Sequence, residues 1–241
     1  MTITLKVHFH FQGVGDCLSE IWMSSLEIIT DTGSLVMLFF LLGCANHPTP
    51  IEEFFTETER LILQTEQPNI LVRKSDETLY LIREGTIVRD ADGEVIAWPV
   101  SFGTGVNDGD KEREGDKRTP EGIYTYTDYS SSSSYHGSLL IHYPGPDDAT
   151  RALAAGRITK TVHDQVQNSA KNGSVPPMLT GMGGYILVHG THKKGDLFPS
   201  NVRYLWTDGC VGMSNDDIDA LRDELDADGG RDRGKILITK G

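Results

Sequence analysis

Two side chains in the second half of the sequence have the types and the spacing for covalent chemistry. His189 ends the predicted strand GYILVH, and Gly190 allows an immediate turn that leaves the imidazole at the rim of a sheet. Cys210 follows 21 residues later in TDGCVGMS, a glycine-flanked turn just before a predicted helix. A helix N-terminus favours a thiolate and can hold an oxyanion. The pair predicts a cysteine nucleophile and its general base, with two packing residues as the alternative.

A zinc site is a second interpretation of the same region, because His192 lies three residues after His189. Only three unevenly spaced candidates exist, including Cys210, which argues against it. We therefore expect no metal and no cofactor.

The elements that must position these residues indicate an α+β fold rich in β-strands. β-branched and aromatic runs predict strands at 70–74, 78–83, 94–103, 122–128 and 235–239, and within SLLIHY and GYILVH. Helices are predicted within 51–66, outside the main fold, at 147–156 and 158–167, and in DDIDALRDEL after the cap Ser214. Residues 130–134 and 168–184 are predicted loops.

Two motifs resemble the signature of the L,D-transpeptidase catalytic domain, the YkuD family. HG, a spacer and TDGC are similar to its HG and [ST]-x-G-C pattern, and GDKRTPEGIY at 115–124 is similar to its upstream GDxRTPEG segment. With similar opening strands, the likeness spans roughly residues 70–241. It implies a YkuD-like fold, in which mixed β-sheets form a cradle and a helix follows the cysteine. It also implies a cysteine enzyme that acts on peptidoglycan stem peptides.

Carried over by position, the resemblance implies that Cys210 is the acylated nucleophile and His189 the general base. Gly209 and Cys210 would form the turn whose backbone N–H groups hold the oxyanion, and Thr207 takes the family's Ser/Thr position. Asp208 departs from the family, where His is common, and a carboxylate beside a thiol should raise the thiol's pKa. We expect Asp208 to orient a partner or to receive the ammonium group of a diaminopimelate side chain.

The segment VGMS after the cysteine lacks the Arg that is frequent in the family. It is typical of a branch whose members resemble hydrolases as well as transpeptidases, so an amine, a protein lysine and water all stay open as acyl acceptor. The leading hypothesis is a transpeptidase that forms a thioester with a stem tetrapeptide and transfers it to an amine. The alternatives are a hydrolase, either an L,D-carboxypeptidase or an amidase that releases a wall-linked protein, and a non-catalytic wall-binding lipoprotein.

Stem peptides carry several carboxylates, which makes basic residues candidate substrate anchors. The predicted substrate-binding residues are Arg118, Gly190, Lys193, Lys194 and Arg203. The alternative for each basic residue is a solvated surface position.

The charge balance argues against nucleic acid as a partner. The chain has 35 Asp and Glu against 22 Lys and Arg, a net charge of -13, whereas a duplex binder needs a basic face. Its three cysteines are an odd number without metal-type pairing, which argues against a disulfide framework.

Residues 34–42, SLVMLFFLL, form an apolar run of the length of a signal-peptide core and too short for a membrane span of about 20 residues. The run ends in LLGC, which resembles a bacterial lipobox whose cysteine, here Cys44, is acylated after cleavage. No Lys or Arg lies between Lys6 and Arg60, so the basic segment of a signal peptide is missing. The alternative is a buried strand or helix followed by a core cysteine.

These patterns predict three parts: a signal and lipobox leader over 1–44, a tether and short helix over 45–68, and a catalytic domain over 69–241. The protein would lie in the bacterial cell envelope, periplasmic or anchored to the membrane through Cys44. Cys17 would fall in the leader, which leaves Cys210 as the single working thiol in an oxidising compartment.

Overall fold

The computed structural model describes residues 55–191 and 207–241 in full, together with the backbone of three earlier strands. The chain divides into two units, Met1–Pro50 and Ile51–Gly241. The first unit holds an antiparallel sheet of β1 (Lys6–His10), β2 (Met23–Ile29) and β3 (Leu35–Leu41). β3 covers most of the apolar run. Cys17 and Cys44 lie outside the described residues, so the leader and its lipid anchor stay predictions.

The second unit has the predicted α+β, β-rich architecture and is built on one mixed sheet. Its described strands are β4 (Ile70–Arg73), β5 (Thr78–Arg83), β6 (Thr86–Ile87), β7 (Ala97–Pro99), β8 (Gly122–Asp128), β9 (Ser138–Ile141), β10 (Leu187–His189), β11 (Val211–Gly212) and β12 (Arg233–Thr239). The order is β11-β10-β9-β8-β12-β4-β5-β6, and β7 also pairs with β5. The pairs β10–β11 and β12–β4 are parallel.

Four α-helices are described in this unit: α1 (Glu57–Glu66), α2 (Pro146–Ala154), α3 (Lys160–Asn172) and α4 (Asn215–Ala227). A short 3₁₀ turn spans Val106–Asp108. Within the described part of the chain, no helix is both long and apolar enough to cross a membrane.

Helix α4 starts where the sequence predicts and packs against the sheet. The side chain of Ser214 accepts a 3.0 Å hydrogen bond from the backbone N–H of Asp217, which caps the helix. Its apolar residues Ile218, Leu221 and Leu225 recur every three or four positions and are fully buried in the main core. This packing fixes the strand β11 that leads into the helix.

Helix α1 belongs to the second unit, so its predicted place outside the main fold is wrong. Leu63 is fully buried in an apolar cluster with residues of the sheet, including Leu71 and Leu237. The helix also carries Glu59, whose buried carboxylate receives two hydrogen bonds from Arg73 at 3.2 and 2.8 Å. Local periodicity reveals an amphipathic helix but not the strand residue that pairs with it.

Some observed boundaries of strands and helices differ from the predicted ones, because backbone hydrogen bonds and not local composition determine where an element ends. β5 and β8 match their predicted ranges, whereas the run 94–103 forms only the three-residue β7, followed by isolated bridges at Ser101 and Gly103. Helix α3 continues to Asn172, and the predicted loop from 168 therefore starts five residues later, at Gly173, which ends the helix in a left-handed conformation.

Candidate active site

The parallel pairing of two strands brings the strand that ends in His189 beside the strand that follows Cys210. Val188 of β10 pairs with Val211 of β11, and both side chains are buried in the main core. Successive side chains of a strand alternate between its faces. His189, the residue after Val188, therefore projects from the opposite face of the strand pair, and Cys210 lies in the turn that leads directly into β11.

The imidazole of His189 is buried and its orientation is fixed. Its Nδ1 lies 2.6 Å from the carbonyl oxygen of Gly190, and because a carbonyl only accepts, Nδ1 carries the proton. Nε2 is then the nitrogen with the lone pair. Burial lowers the pKa of His189 to about 4, although the hydrogen bond to Gly190 acts in the opposite direction. At neutral pH the ring is uncharged and has the tautomer that a general base requires.

The thiol of Cys210 is a neutral donor in this structure. Its Sγ lies 3.7 Å from the carbonyl oxygen of Tyr185. Burial raises the pKa of Cys210 to about 11; a hydrogen bond from the Leu187 backbone opposes the rise, Asp208 adds to it by charge repulsion, and Lys111 opposes it. The residue as a whole is half-buried. The desolvation of its sulfur is what disfavours the thiolate.

The predicted stabilisation of the thiolate by the helix N-terminus is therefore not seen. Strand β11 and Met213 separate Cys210 from α4, and Ser214 already accepts a hydrogen bond from the first turn of the helix. The predicted effect of Asp208 on the thiol has the expected sign, since the carboxylate raises the pKa of Cys210.

The turn before Cys210 is closed by Thr207. Its buried hydroxyl donates a 2.8 Å hydrogen bond to the carbonyl oxygen of Cys210 and accepts one of 3.3 Å from the N–H of Gly209. Gly209 has a φ of 126°, and a Cβ there would lie 2.6 Å from the carbonyl oxygen of Arg118. Only glycine fits this position. Thr207, Gly209 and Cys210 thus form one rigid turn, as their predicted roles require.

The turn packs on the segment 111–118, so the two motifs that are far apart in the sequence meet here. Asp116 organises this segment: its carboxylate accepts hydrogen bonds from the Nζ of Lys111 at 2.7 Å and from the backbone N–H groups of Glu112, Arg113 and Arg118. Lys111 is only 5% exposed, which places its positive charge beneath the site.

Only some of the predicted substrate anchors lie within the described residues. The Nη1 of Arg118 donates to the carbonyl oxygen of Asp110 at 3.1 Å, and its backbone supports Gly209. Asp208 is 87% exposed and lies 3.5 Å from the Nζ of Lys117. His192, Lys193, Lys194 and Arg203, as well as Cys44, lie outside the described residues, so their roles stay predictions.

Gly190, predicted to bind substrate, acts here through its backbone. Its carbonyl accepts from His189, and its N–H donates to the carbonyl of His136 at 2.9 Å. A Cβ at position 190 would lie 2.5 Å from the Oδ1 of Asn215 and 3.0 Å from the His136 carbonyl oxygen. The glycine is needed because no side chain fits.

Two neighbours of His189 were missed by the sequence interpretation. The ring of Tyr135 stacks on the imidazole, with the ring centroids 3.9 Å apart and the planes at 29°. Ser138 pairs directly with His189 across β9 and β10, and its buried Oγ has no hydrogen-bond partner among the described residues. Tyr135 belongs to no predicted element, and Ser138 is only the first residue of the predicted strand SLLIHY, so the sequence gives no signal that either residue contacts His189.

Among the described residues, no group of three or more His, Cys, Asp or Glu side chains is arranged to hold a metal ion. The site offers a half-buried thiol, an imidazole and backbone N–H groups. Together they can form and resolve an acyl-cysteine.

Comparisons with known proteins identify a domain that covers most of the chain. The model of the family described as YkuD, L,D-transpeptidase catalytic domain, matches residues 67–235. Among solved structures, the chain is similar to the helical cell shape determining protein Pgp2 from Campylobacter jejuni, with 21% identity and a TM-score of 0.42. That match covers 71% of this chain and 46% of the other, so the chain spans less than half of that protein. The comparison with curated proteins gave no match.

Proposed function

Because the chain belongs to the L,D-transpeptidase catalytic domain family, we propose that it is a cysteine-dependent acyltransferase of the bacterial cell envelope. Its substrates are the stem peptides of peptidoglycan. The observation that carries the proposal is the parallel pairing of β10 and β11, which brings the strand that ends in His189 beside the strand that Cys210 directly precedes. The matching tautomer of His189 supports it.

The reaction begins from a neutral pair, since the pKa values of about 4 for His189 and about 11 for Cys210 keep both groups uncharged at neutral pH. The thiol proton moves to Nε2 of His189 as the sulfur attacks the carbonyl carbon of the L,D-peptide bond. The protonated imidazole then gives this proton to the amine of the terminal D-residue, which leaves, and a thioester remains on Cys210. General-base help of this kind contributes on the order of 10²–10⁴ in rate.

The oxyanion of the tetrahedral intermediate is held by backbone N–H groups of the rigid turn. Among the described contacts, the N–H of Gly209 has only the long 3.3 Å bond to Thr207. A developing negative charge is a stronger acceptor than a hydroxyl. The N–H of Gly209 can therefore donate to the substrate oxyanion, together with the N–H of Cys210. Losing one such donor costs about 10²–10³ in rate.

The thioester is resolved by an amine in the proposed transpeptidase and by water in a hydrolase. One observation keeps the hydrolase as the second candidate. The residue that pairs with His189 on the site face is Gly212, so β11 offers no side chain there to recognise an acceptor, whereas Val211 and Met213 are buried in the core. Water needs no such recognition, and an amine would have to be selected by other residues.

An intact-mass experiment tests the nucleophile. Incubation with a purified tetrapeptide muropeptide should add the mass of the acyl group to the wild-type chain and to a Cys17→Ser, Cys44→Ser double variant. The Cys210→Ala variant should remain unmodified. An adduct that persists in Cys210→Ala, or one that disappears in the double variant, would refute the assignment.

The acceptor is identified by incubating the enzyme with wall sacculi and analysing the products by mass. Cross-linked dimers joined at diaminopimelate support the transpeptidase. Released D-alanine or tripeptides without cross-links indicate a carboxypeptidase, and a released protein indicates the amidase. No product from wild type would leave the wall-binding lipoprotein as the better description.

The predicted leader gives the proposed location its own test. If residues 1–43 are removed and Cys44 is acylated, the mature protein sediments with membranes and a Cys44→Ser variant does not. Equal distribution of the two proteins between the membrane and soluble fractions would refute the anchor without affecting the assignment of Cys210.

A further inference from the structure

The proposed reaction requires His189 to carry a positive charge for part of its cycle, in a place that resists it. The ring is 1% exposed, and its Nδ1 faces the uncharged carbonyl of Gly190 rather than a carboxylate. Burial accordingly lowers the pKa of His189 to about 4. A neighbouring group that stabilises the imidazolium would therefore favour the transfer of the thiol proton.

Tyr135 contacts the face of this ring. The two rings are stacked with their centroids 3.9 Å apart. The face of an aromatic ring carries negative electrostatic potential, and a cation within about 6 Å of it is stabilised, most strongly where water is excluded. The stacked geometry therefore favours the protonated imidazole over the neutral one.

The backbone around Tyr135 holds its ring in place. His136, the next residue, accepts a hydrogen bond from the N–H of Gly190 and donates one to the carbonyl of Thr191, both at 2.9 Å. The N–H of Tyr135 donates to the Oγ of Ser133 at 3.0 Å. These bonds tie the end of the β8–β9 connection to the residues that follow His189.

The serine run before Tyr135 is a hydrogen-bonded turn and not merely a polar loop. The Oγ of Ser130 donates to Asp128 at 2.6 Å and accepts from the N–H of Ser138 at 2.9 Å, and the N–H groups of Ser132 and Ser133 both reach the carbonyl of Tyr129 at 3.0 Å. The hydroxyls fix the path of the connection that delivers Tyr135.

The described titratable groups near the ring pair lie on the turn before β11 and on α4. Cys210 and Asp208 lie on the turn before β11, and both raise the pKa of the Tyr135 phenol by their charge, after the larger effect of burial. On the other side, His136 lies 2.8 Å from Asp219 of α4.

We propose that Tyr135 is a positioning residue that holds the His189 ring and stabilises its protonated form through the stacked aromatic face. The role rests on the proposed function of His189 as proton acceptor and donor. In this role the aromatic ring of Tyr135, and not its phenolic hydroxyl, stabilises the imidazolium.

The acylation rate of Cys210 by a carbapenem, followed by intact mass, measures this role. Tyr135→Phe keeps the ring and should remain within about 2-fold of wild type, whereas Tyr135→Leu should be slowed about 10-fold, within the range of a desolvated cation–π contact. Tyr129→Leu, in the same connection and also half-buried, is the matched control and should match wild type. Phenylalanines with one, two and three ring fluorines at position 135 should slow acylation stepwise, because fluorine withdraws charge from the face without changing its shape.

A double-mutant comparison separates this role from simple packing. Tyr135→Leu should cause no further loss in a His189→Gln background, because the contact then has no imidazolium to stabilise. Equal rates for Tyr135→Leu and Tyr135→Phe, a flat fluorine series, or full additivity with His189→Gln would each overturn the proposal.

A titration of the His189 ring by NMR provides a measurement independent of peptidoglycan. The pKa of His189 should be lower in Tyr135→Leu than in wild type and unchanged in Tyr135→Phe, and an unchanged value in Tyr135→Leu would overturn the proposal. Failure of the sacculus assay with success of this titration would refute the proposed substrate and leave the role of Tyr135 intact. If Tyr135→Leu does not fold, the fluorine series carries the test.

Discussion

The hydroxyl of Thr207 donates a hydrogen bond to the backbone carbonyl oxygen of Cys210. The same hydroxyl accepts a hydrogen bond from the N–H of Gly209. One oxygen atom therefore fixes both the backbone that leads from Cys210 into β11 and the N–H of Gly209. In the proposed mechanism, a residue outside the reacting pair thus controls where the oxyanion is held.

Removing this hydroxyl should misplace the turn. Thr207→Val keeps the shape but loses both hydrogen bonds, and we expect acylation of Cys210 to slow about 10²-fold, the scale of a lost oxyanion donor. Thr207→Ser keeps the hydroxyl and is the control, with a rate within a few fold of wild type. Stopped-time intact-mass measurements give both rates; a Val variant as fast as the Ser variant would contradict the role.

The reactivity of the resting thiol should depend strongly on pH. Because the pKa of Cys210 is about 11, its alkylation by iodoacetamide should rise about tenfold per pH unit from 7 to 10 without a plateau. Asp208→Asn removes a charge that raises this pKa, so the curve should move to lower pH. Asp92→Asn, exposed in the loop 89–94, is the control. A plateau near neutral pH would instead show a thiolate–imidazolium pair.

Gly190 should not tolerate a side chain. A Cβ would meet Asn215 and His136 at 2.5 and 3.0 Å, and neither the helix start nor the backbone carbonyl can move without disturbing His189. We expect Gly190→Ala to lower the free energy of unfolding by about 2 kcal/mol or more and to reduce acylation. Gly181→Ala, whose Cβ would come no closer than 3.2 Å to other atoms, is the control. Urea unfolding measures the difference, and similar stabilities for the two variants would contradict it.

The buried ion pair of α1 and β4 should dominate the attachment of the helix. Glu59→Ala removes the buried partner of Arg73 and leaves it the part-exposed Asp76, and the loss of a buried partner costs up to about 3–5 kcal/mol. Glu57→Ala is the control, because its carboxylate is 88% exposed and pairs only with Arg60 at the surface. Comparable unfolding midpoints in urea for the two variants would show that the pair contributes little.

The same carboxylate predicts how acid destabilises the protein. Burial alone would raise the pKa of Glu59, but hydrogen bonds from Arg73, the backbone of Thr56 and the hydroxyl of Thr239 lower it overall. A depressed pKa adds stability above the usual range of a glutamate and loses it as the pH falls through the folded-state value. The stability difference between wild type and Glu59→Ala should therefore shrink as the pH falls below about 4.

The parts of the fold that the sequence predicts are those that short-range rules determine. Ser214 begins α4 because its hydroxyl reaches an N–H three residues away, and β8 alternates along seven residues. His189 and Cys210 are identified by glycine-flanked motifs of a few residues. These features can be recognised without knowing what packs on them.

The parts that the sequence does not predict depend on pairs distant in the chain. Tyr135 stacks on a histidine 54 residues later, and nothing in a run of serines indicates that partner. Desolvation in the folded chain raises the pKa of Cys210, whereas the motif alone suggests activation by a helix. Burial is a property of the assembled core, which local patterns do not contain.

Strand β12 lies in the interior of the sheet, between β8 and β4, although residues 233–239 form it. During translation, β4 and β8 are therefore synthesised long before the strand that joins them. A nascent polypeptide remains unable to complete its sheet until these residues have left the ribosome. The parts of the sheet on either side of β12 therefore cannot join before this strand is in place.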